Sequence, residues 1–263
     1  MIVTIVGAGN MARGIGTRAL VGGHSVRVHD RTETKARDLA SDLSRVVSGA
    51  DVTAVGADAA ADADLVVLAV PYPAGRDVAA AWAGGLAGRT VVDICNPVDF
   101  TTFDSLVVPP GTSAAEQIAA AVPESRVVKA FNTTLAGTLA EGEVAGRPLD
   151  VFIAGDDDTA RRTVSDLVSS GGMRPLDVGP LHWARELEGF QLLHMASQER
   201  LGLELVQRRR DPAVTVGACP RPRVPPGARG GAARDRSGTP PCHRRSAGRS
   251  TRASTLEGRE GRC

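Results

Sequence analysis

Gly7, Gly9 and Ala12 form the small positions of a G-x-G-x-x-A turn, Gly7-Ala8-Gly9-Asn10-Met11-Ala12. The turn follows the apolar run Ile2-Val3-Thr4-Ile5-Val6 and opens a segment able to form a helix. Each small residue has its own task. Gly7 permits the tight turn, Gly9 lets the backbone approach a pyrophosphate, and Ala12 lets the helix pack closely on the strand. Free N–H groups at the helix start would then hold the phosphates. The apolar run is short, β-branched and uninterrupted, as a strand buried on both faces requires. A lone glycine motif is weak evidence. Between a strand and a helix it predicts dinucleotide binding, with a purely structural turn as the alternative.

A second apolar run, His24-Ser25-Val26-Arg27-Val28, ends at His29-Asp30-Arg31-Thr32. An acidic residue here bonds the ribose hydroxyl of NAD, whereas a nearby Arg accommodates the 2′-phosphate of NADP. Asp30 argues for NAD. Arg31, with Thr32 and Lys35, argues for NADP, and two positive charges beside one carboxylate favour the phosphate. The bland alternative makes Arg31 and Lys35 solvated residues of a helix start, with Asp30 or Thr32 as its N-cap. His29 is expected to flank the adenosine pocket.

These residues need a scaffold, and the rest of the body supplies one. Helix 32–43 precedes a short strand at 51–56 and a buried strand at 64–70 that enters Pro71-Tyr72-Pro73. An Ala-rich helix at 74–86 leads to strand 90–95 and Asn96-Pro97. A helix at 113–121 precedes strand 127–131, which ends at Asn132-Thr133-Thr134. Strand 150–155, a helix capped by Asp156-Asp157-Asp158, strand 175–178 and a last helix from about 181 to 206 complete the body. Such alternation predicts a doubly wound, parallel α/β sheet of Rossmann type.

Ligands of such sheets bind outside the carboxyl ends of the strands. That rule assigns Asn10, Met11 and the rest of the glycine turn, with residues 30–35, to the adenosine and phosphates. Val70, Pro71, Asn96 and Pro97 are expected against the nicotinamide, and Asn132, Thr133 and Thr134 at the transfer site. Their side chains are small, amide or hydroxyl. His182 and His194 read as surface or packing residues, and Lys129 as a structural residue near the start of its strand. No acid is evident among them. Reducing a ketone or imine needs a positioned proton donor. Transfer between two hydride carriers needs mainly two rings stacked in a dry slot.

Composition sets further bounds. From Gln207 to Cys263 there are 14 Arg, no Lys and 4 acids, so a tail of net charge +10 follows a body of net charge −9. The acidic body gives no support for a nucleic-acid surface. No apolar run approaches membrane-span length, and no basic stretch precedes the first apolar segment. Cys95 is the body's one cysteine, and Cys219, Cys242 and Cys263 lack metal-ligand spacing. No metal site is expected, and a cytoplasmic location fits.

The stretches IVGAGNMARGIG, HSVRVHDRTETKA, DLVVLAVPYPA, VVDICNPVDF, GTSAAEQIAAAVPESRVVKAFNT, DVFIAGDDDTARR and MRPLDVGPLHWARELE span nearly the whole body. On them the chain resembles the coenzyme F420-dependent NADP oxidoreductases, also called NADPH-dependent F420 reductases. The GDDD turn followed by R-P-L-D-x-G-P-L is the most specific part. The resemblance implies a Rossmann domain with a small helical C-terminal part and NADP(H) as cofactor. It further implies the deazaflavin coenzyme F420 as co-substrate, with hydride passing between nicotinamide C4 and deazaflavin C5. The fold is shared with ferric and imine reductases, so a reductase of another small-molecule acceptor and a non-catalytic dinucleotide sensor stay open.

The expected organisation is a dinucleotide-binding domain at 1–180, a helical segment at 181–206 completing it, and a disordered tail at 207–263. The tail has no aromatic residue and no hydrophobic periodicity, so it cannot offset chain entropy by burial. A basic arm for an acidic partner, a solvated appendage and translation of a GC-rich gene in a shifted frame are its three readings. The family resemblance and the apolar spacing of Leu187, Phe190, Leu193, His194, Leu201 and Leu205 suggest a homodimer.

Overall fold

A computed structural model of the chain describes residues 1–72 and 74–198. The end of the expected last helix, with Leu201 and Leu205, and the basic tail lie outside the described residues.

In chain order, β1 (Ile2–Val6) passes through the glycine turn into α1 (Asn10–Val21). β2 (Ser25–His29) leads to α2 (Glu33–Val46), and β3 (Val52–Ala54) to a 3-10 turn at Ala57–Asp62. β4 (Leu65–Leu68) precedes α3 (Ala74–Ala81) and α4 (Ala83–Leu86). β5 (Thr90–Asp93) connects through a long loop to α5 (Ala114–Ala121), and β6 (Arg126–Ala130) to α6 (Ala136–Glu141). A hairpin of β7 (Glu143–Val144) and β8 (Arg147–Pro148) precedes β9 (Asp150–Gly155) and α7 (Asp158–Ser170). β10 (Arg174–Gly179), a 3-10 turn at Leu181–Trp183 and α8 (Ala184–Ser197) follow.

Eight of these strands form one sheet in the order β10-β9-β6-β5-β4-β1-β2-β3. Its centre is the parallel Rossmann arrangement, with the order reversing between β1 and β4. Strand side chains alternate between two cores. Val3, Ile5, Leu65 and Val67 pack toward α1, α2 and α7, whereas Val66, Leu68 and Val91 pack toward α3 and α5. Both faces are therefore covered, which is why β4 and β5 read as continuous apolar runs.

The expected all-parallel sheet needs one correction. β9 pairs antiparallel with β6. Only α6 and the β7–β8 hairpin separate the two strands, and no helix carries the chain back across the sheet, so β9 runs in the opposite direction. Its first residues thereby return to the carboxyl edge of β6. The hairpin turn places Ala145 and Gly146 in the left-handed region, at φ 52° and 73°. Such a turn is signalled by Asn-Gly or Gly-Gly, and alanine hides it. The expected helix at 74–86 breaks at Trp82, next to the poor helix formers Gly84-Gly85.

The last helix is tied down at its start. Asp157 caps α7, accepting from the Ala160 N–H at 2.7 Å, while Asp156 accepts from the Leu181 N–H at 2.8 Å. Arg185 on α8 grips Glu116 on α5 with two hydrogen bonds, of 2.8 and 2.5 Å. The Arg185 guanidinium holds the Glu116 carboxyl below its ordinary value of 4.5, so this contribution is complete above that pH and lost as pH falls through the folded value. Arg185→Ala is therefore expected to lower the melting temperature by roughly 1–3 °C at pH 7. The loss should vanish in acid, where Glu116 is protonated in both proteins. Thermal melts across pH check this, and a deficit that persists in acid would contradict it.

Candidate functional site

The glycine turn is built as its residue types demand. Gly7 has φ +109°, and a Cβ on it would lie 2.4 Å from the Ala69 carbonyl oxygen, at the end of β4. Its N–H donates to the His29 carbonyl at 2.7 Å, tying the turn to β2. A Cβ on Gly9 would meet nothing within 4 Å. That open space faces a cavity of about 530 Å³ lined by Gly7, Ala8, Gly9 and the ends of β2 and β4. Ala12 is buried under the turn, Met11 is half-buried, and Asn10 is exposed at the start of α1. The N–H groups opening α1 have no acceptor within the helix.

Asp30 is already engaged. Its carboxylate accepts from the Ala8 N–H at 3.1 Å and from the Thr32 N–H at 2.8 Å, binding the glycine turn to the end of β2. Thr32 caps α2 through its backbone and makes no side-chain cap. Arg31 and Lys35 line the same cavity, and no ion pair of either occurs among the described residues. His29 also lines it, edge-on to Trp82 with ring centroids 4.9 Å apart. Trp82, Asp77 and Val78 belong to this wall and escaped the sequence reading. A Trp in an otherwise Ala-rich helix was the available signal.

Val70 and Pro71 continue the cavity past β4. The ends of β5 and β6 meet in a clasp. Asn96 Nδ2 donates to the Asn132 carbonyl at 2.8 Å, and Asn132 Nδ2 donates to Asn96 Oδ1 at 3.0 Å and to the Leu187 carbonyl at 3.1 Å. These acceptors fix which end of the Asn132 amide is the nitrogen. Asn132 is 2% exposed, and its Oδ1 has no partner. Pro97 is buried beside Asn96. Phe131, just before Asn132, is held at φ +62°, an uncommon and costly conformation for a bulky residue. The Thr134 hydroxyl donates to the Phe131 carbonyl at 2.7 Å. Asn132 and Thr134 thus shape the turn, while Thr133 lines a second cavity of about 510 Å³. Phe152, Phe190, Arg147 and Arg174, missed from sequence, also line that cavity. It sits at the same sheet edge because β9 enters there.

Beneath the clasp lies a buried charge cluster. Lys129, expected near the start of its strand, is instead its fourth residue, and its side chain is fully buried. Its ammonium donates to Asp93 Oδ2 at 2.7 Å, to the Cys95 carbonyl at 2.5 Å and to Glu188 Oε1 at 2.7 Å. Burial alone would lower its pKa, but Asp93 and Glu188 outweigh that and hold it above the ordinary value. Burial raises the Glu188 carboxyl, against the pull of Lys129. Burial also pushes the Cys95 thiol well up, keeping it protonated. His182 is exposed, its ring tilted against Trp183, and His194 lies half-buried by Gln191 and Phe190 on α8. The apolar spacing of α8 divides: Leu187 is buried, whereas Phe190 and Leu193 are 56% and 67% exposed. Among the described residues, no helix is long and apolar enough to cross a membrane.

The residues fit a dinucleotide phosphate. Gly9 leaves a space that any side chain would fill, α1 opens at the next residue, and two cations, Arg31 and Lys35, line the same cavity. Comparison with known proteins agrees. Residues 2–97 match the family model for NADP oxidoreductase, coenzyme F420-dependent. The F420-dependent NADP reductase of Methanothermobacter thermautotrophicus is 32% identical over 199 residues, covering 71% of this chain and 84% of that one. The rat metalloreductase STEAP3 is 32% identical over 190 residues, 72% of this chain, and the chain spans 36% of its length. A candidate F420-dependent NADP reductase from Arthrobacter sp. FB24, of solved structure, superposes with a TM-score of 0.65. It has 30% identity, over 77% of this chain and 96% of that one. From the glycine turn, the fold and the extent of this identity, the chain is an NADP-dependent oxidoreductase and belongs to the coenzyme F420-dependent NADP oxidoreductase family.

Proposed function

We propose that the protein transfers a hydride between NADP(H) and the deazaflavin coenzyme F420. The observation that carries the reading is the chemistry around the ends of β4, β5 and β6. Among the described residues, Asp93 and Glu188 at these strand ends are fully buried and each bonded to the buried Lys129 ammonium, and Asp77, on the cavity wall, pairs with Arg76. Tyr72 donates its phenol to Gln117 at 2.5 Å, and the remaining groups are amides and hydroxyls. Among the described residues at these strand ends, no unpaired acid stands ready to protonate a ketone or imine. A deazaflavin accepts hydride at carbon from the nicotinamide without such a donor at the reacting atom.

In this reading each group has a positional task. Gly9 and the start of α1 receive the pyrophosphate, and Arg31 and Lys35 receive the 2′-phosphate. Val70, Pro71 and the Asn96–Asn132 clasp border the nicotinamide. Thr133, Phe152 and Phe190 offer the acceptor ring a wall, with Arg147 and the Arg174–Asp150 pair on the same lining. Hydride transfer in this reading requires the two rings to be brought together along one sheet edge with no water between them.

A second reading, reduction of a ferric chelate, draws on the identity with a metalloreductase. Stopped-flow mixing of the protein and NADPH with oxidised coenzyme F420 separates the two. Loss of the deazaflavin absorbance is the expected result. NADPH oxidation by a ferric chelate or a cyclic imine, with none by F420, would replace the proposal. Tight NADPH binding without oxidation by any acceptor would make the protein a sensor.

A further inference from the structure

We propose that Lys129, Asp93 and Glu188 form a positioning network that sets the Asn96–Asn132 clasp at the nicotinamide end of the cofactor. The inference rests on the reading above for where the nicotinamide lies. None of the three residues lines either cavity.

The connections form a closed circuit. Asp93 Oδ1 accepts from the Cys95 N–H at 2.8 Å, and Lys129 donates to the Cys95 carbonyl. Both polar groups of the residue before Asn96 are thereby pinned. Glu188 accepts from Lys129 through Oε1 and from the Ala114 N–H, at the start of α5, through Oε2 at 3.0 Å. That anchors α8 at the residue after Leu187, whose carbonyl accepts from Asn132. Asn96 and Leu187, the two partners of Asn132, are therefore each held one residue away by the same ammonium.

Two features argue that this is more than packing. A buried ion cluster is weak evidence for stability, since well-packed apolar residues often do as well, whereas it fixes geometry through directional bonds. Every N–H of the ammonium is used here, so rotation of Lys129 is not free. The object held is also under strain. Phe131 at φ +62° persists only if its surroundings over-determine it, and the Asn132 clasp is one of those restraints. Within the clasp, Asn132 Oδ1 is a buried acceptor without a protein partner. An orphaned buried acceptor is costly, so the amide keeps this orientation only while its donor side is held by Asn96 and Leu187.

The test compares the unaltered protein with Asp93→Asn/Lys129→Met/Glu188→Gln. The triple variant removes all charges together, so no lone charge is stranded, and Asn and Gln can still accept from the Cys95 and Ala114 N–H groups. On protein shown to melt cooperatively, three quantities are read: affinity for 2′,5′-ADP, the emission of bound NADPH, and the single-turnover rate of hydride transfer to F420. The 2′,5′-ADP affinity should stay within about twofold. The NADPH emission change should shrink, and transfer should slow by about 10–100-fold, as a displaced near-attack geometry does. Unchanged emission and rate in a folded variant would overturn the network's role. So would loss of 2′,5′-ADP binding in step with the rate, because the damage would then be general. If the triple variant does not fold, Glu188→Gln alone is read in the same way, and its failure to move emission or rate is equally decisive. An unaltered protein that does not reduce F420 would refute the deazaflavin reading, and the NADPH emission would still decide the network.

Discussion

Gly9→Val should abolish most NADPH binding, by on the order of 100-fold or about 2.8 kcal/mol, in a protein that still folds. The reason lies in the contrast between two glycines of one turn. A Cβ on Gly9 enters open space, so the fold has nothing to resist, but that space borders the cavity where a pyrophosphate must approach the backbone. Gly7→Ala should behave oppositely. Its Cβ would overlap the Ala69 carbonyl, and its φ of +109° is unfavourable to any L side chain, so stability should fall before binding can be asked about. Calorimetric titration with NADPH and a thermal melt of each variant separate the outcomes. A Gly9→Val protein that binds normally would remove the phosphates from this turn.

Arg31→Ala should weaken NADPH by about 1.5–3 kcal/mol, roughly 10–150-fold, and leave NADH nearly unchanged. Arg31 is exposed on the cavity rim, and its guanidinium has no carboxylate partner among the described residues, so its charge is available to a phosphate. Lys35, in the first turn of α2, adds a second positive charge without the planar geometry. Equal losses for both cofactors would contradict the assignment. The neighbouring Asp30 complicates the obvious companion experiment. Asp30→Ser removes a carboxylate facing the phosphate and should raise the NADPH-to-NADH ratio. It also removes the acceptor for the Ala8 and Thr32 N–H groups, so binding of both cofactors should fall together.

The strand, turn and helix start over residues 2–12 were legible from sequence because their geometry is local. A strand buried on both faces must be an apolar run, a tight turn against a neighbouring backbone must be glycine, and neither depends on distant parts of the chain. The placement of Arg31 and Lys35 beside the glycine turn was legible through spacing, whereas Asp30, read as a ribose contact, has its carboxylate engaged by the Ala8 and Thr32 N–H groups. The small polar loop ends were legible as a set, because the carboxyl-edge rule needs only the order of strands and helices. Their individual tasks were not. Asn132 and Thr134 read as transfer-site residues, and tertiary contacts turn their side chains toward Leu187, Asn96 and the Phe131 carbonyl. The direction of β9 depended on the short α6 and on a hairpin whose Ala145 carries no turn signal.

The charge cluster was beyond sequence altogether. Lys129 lies 36 residues from Asp93 and 59 from Glu188, and no periodicity links the three. A lysine within an apolar strand can be an edge residue in water or a fully buried cation. Only the arrival of two carboxylates, one from the adjacent strand and one from α8, makes the second state affordable. Sequence alone thus determined the glycine turn and the strands around it, where backbone geometry and spacing act over a few residues. Tertiary structure decided the ends of β5 and β6, where side chains meet only after β5, β6 and α8 have packed, and where burial sets the meaning of each charge.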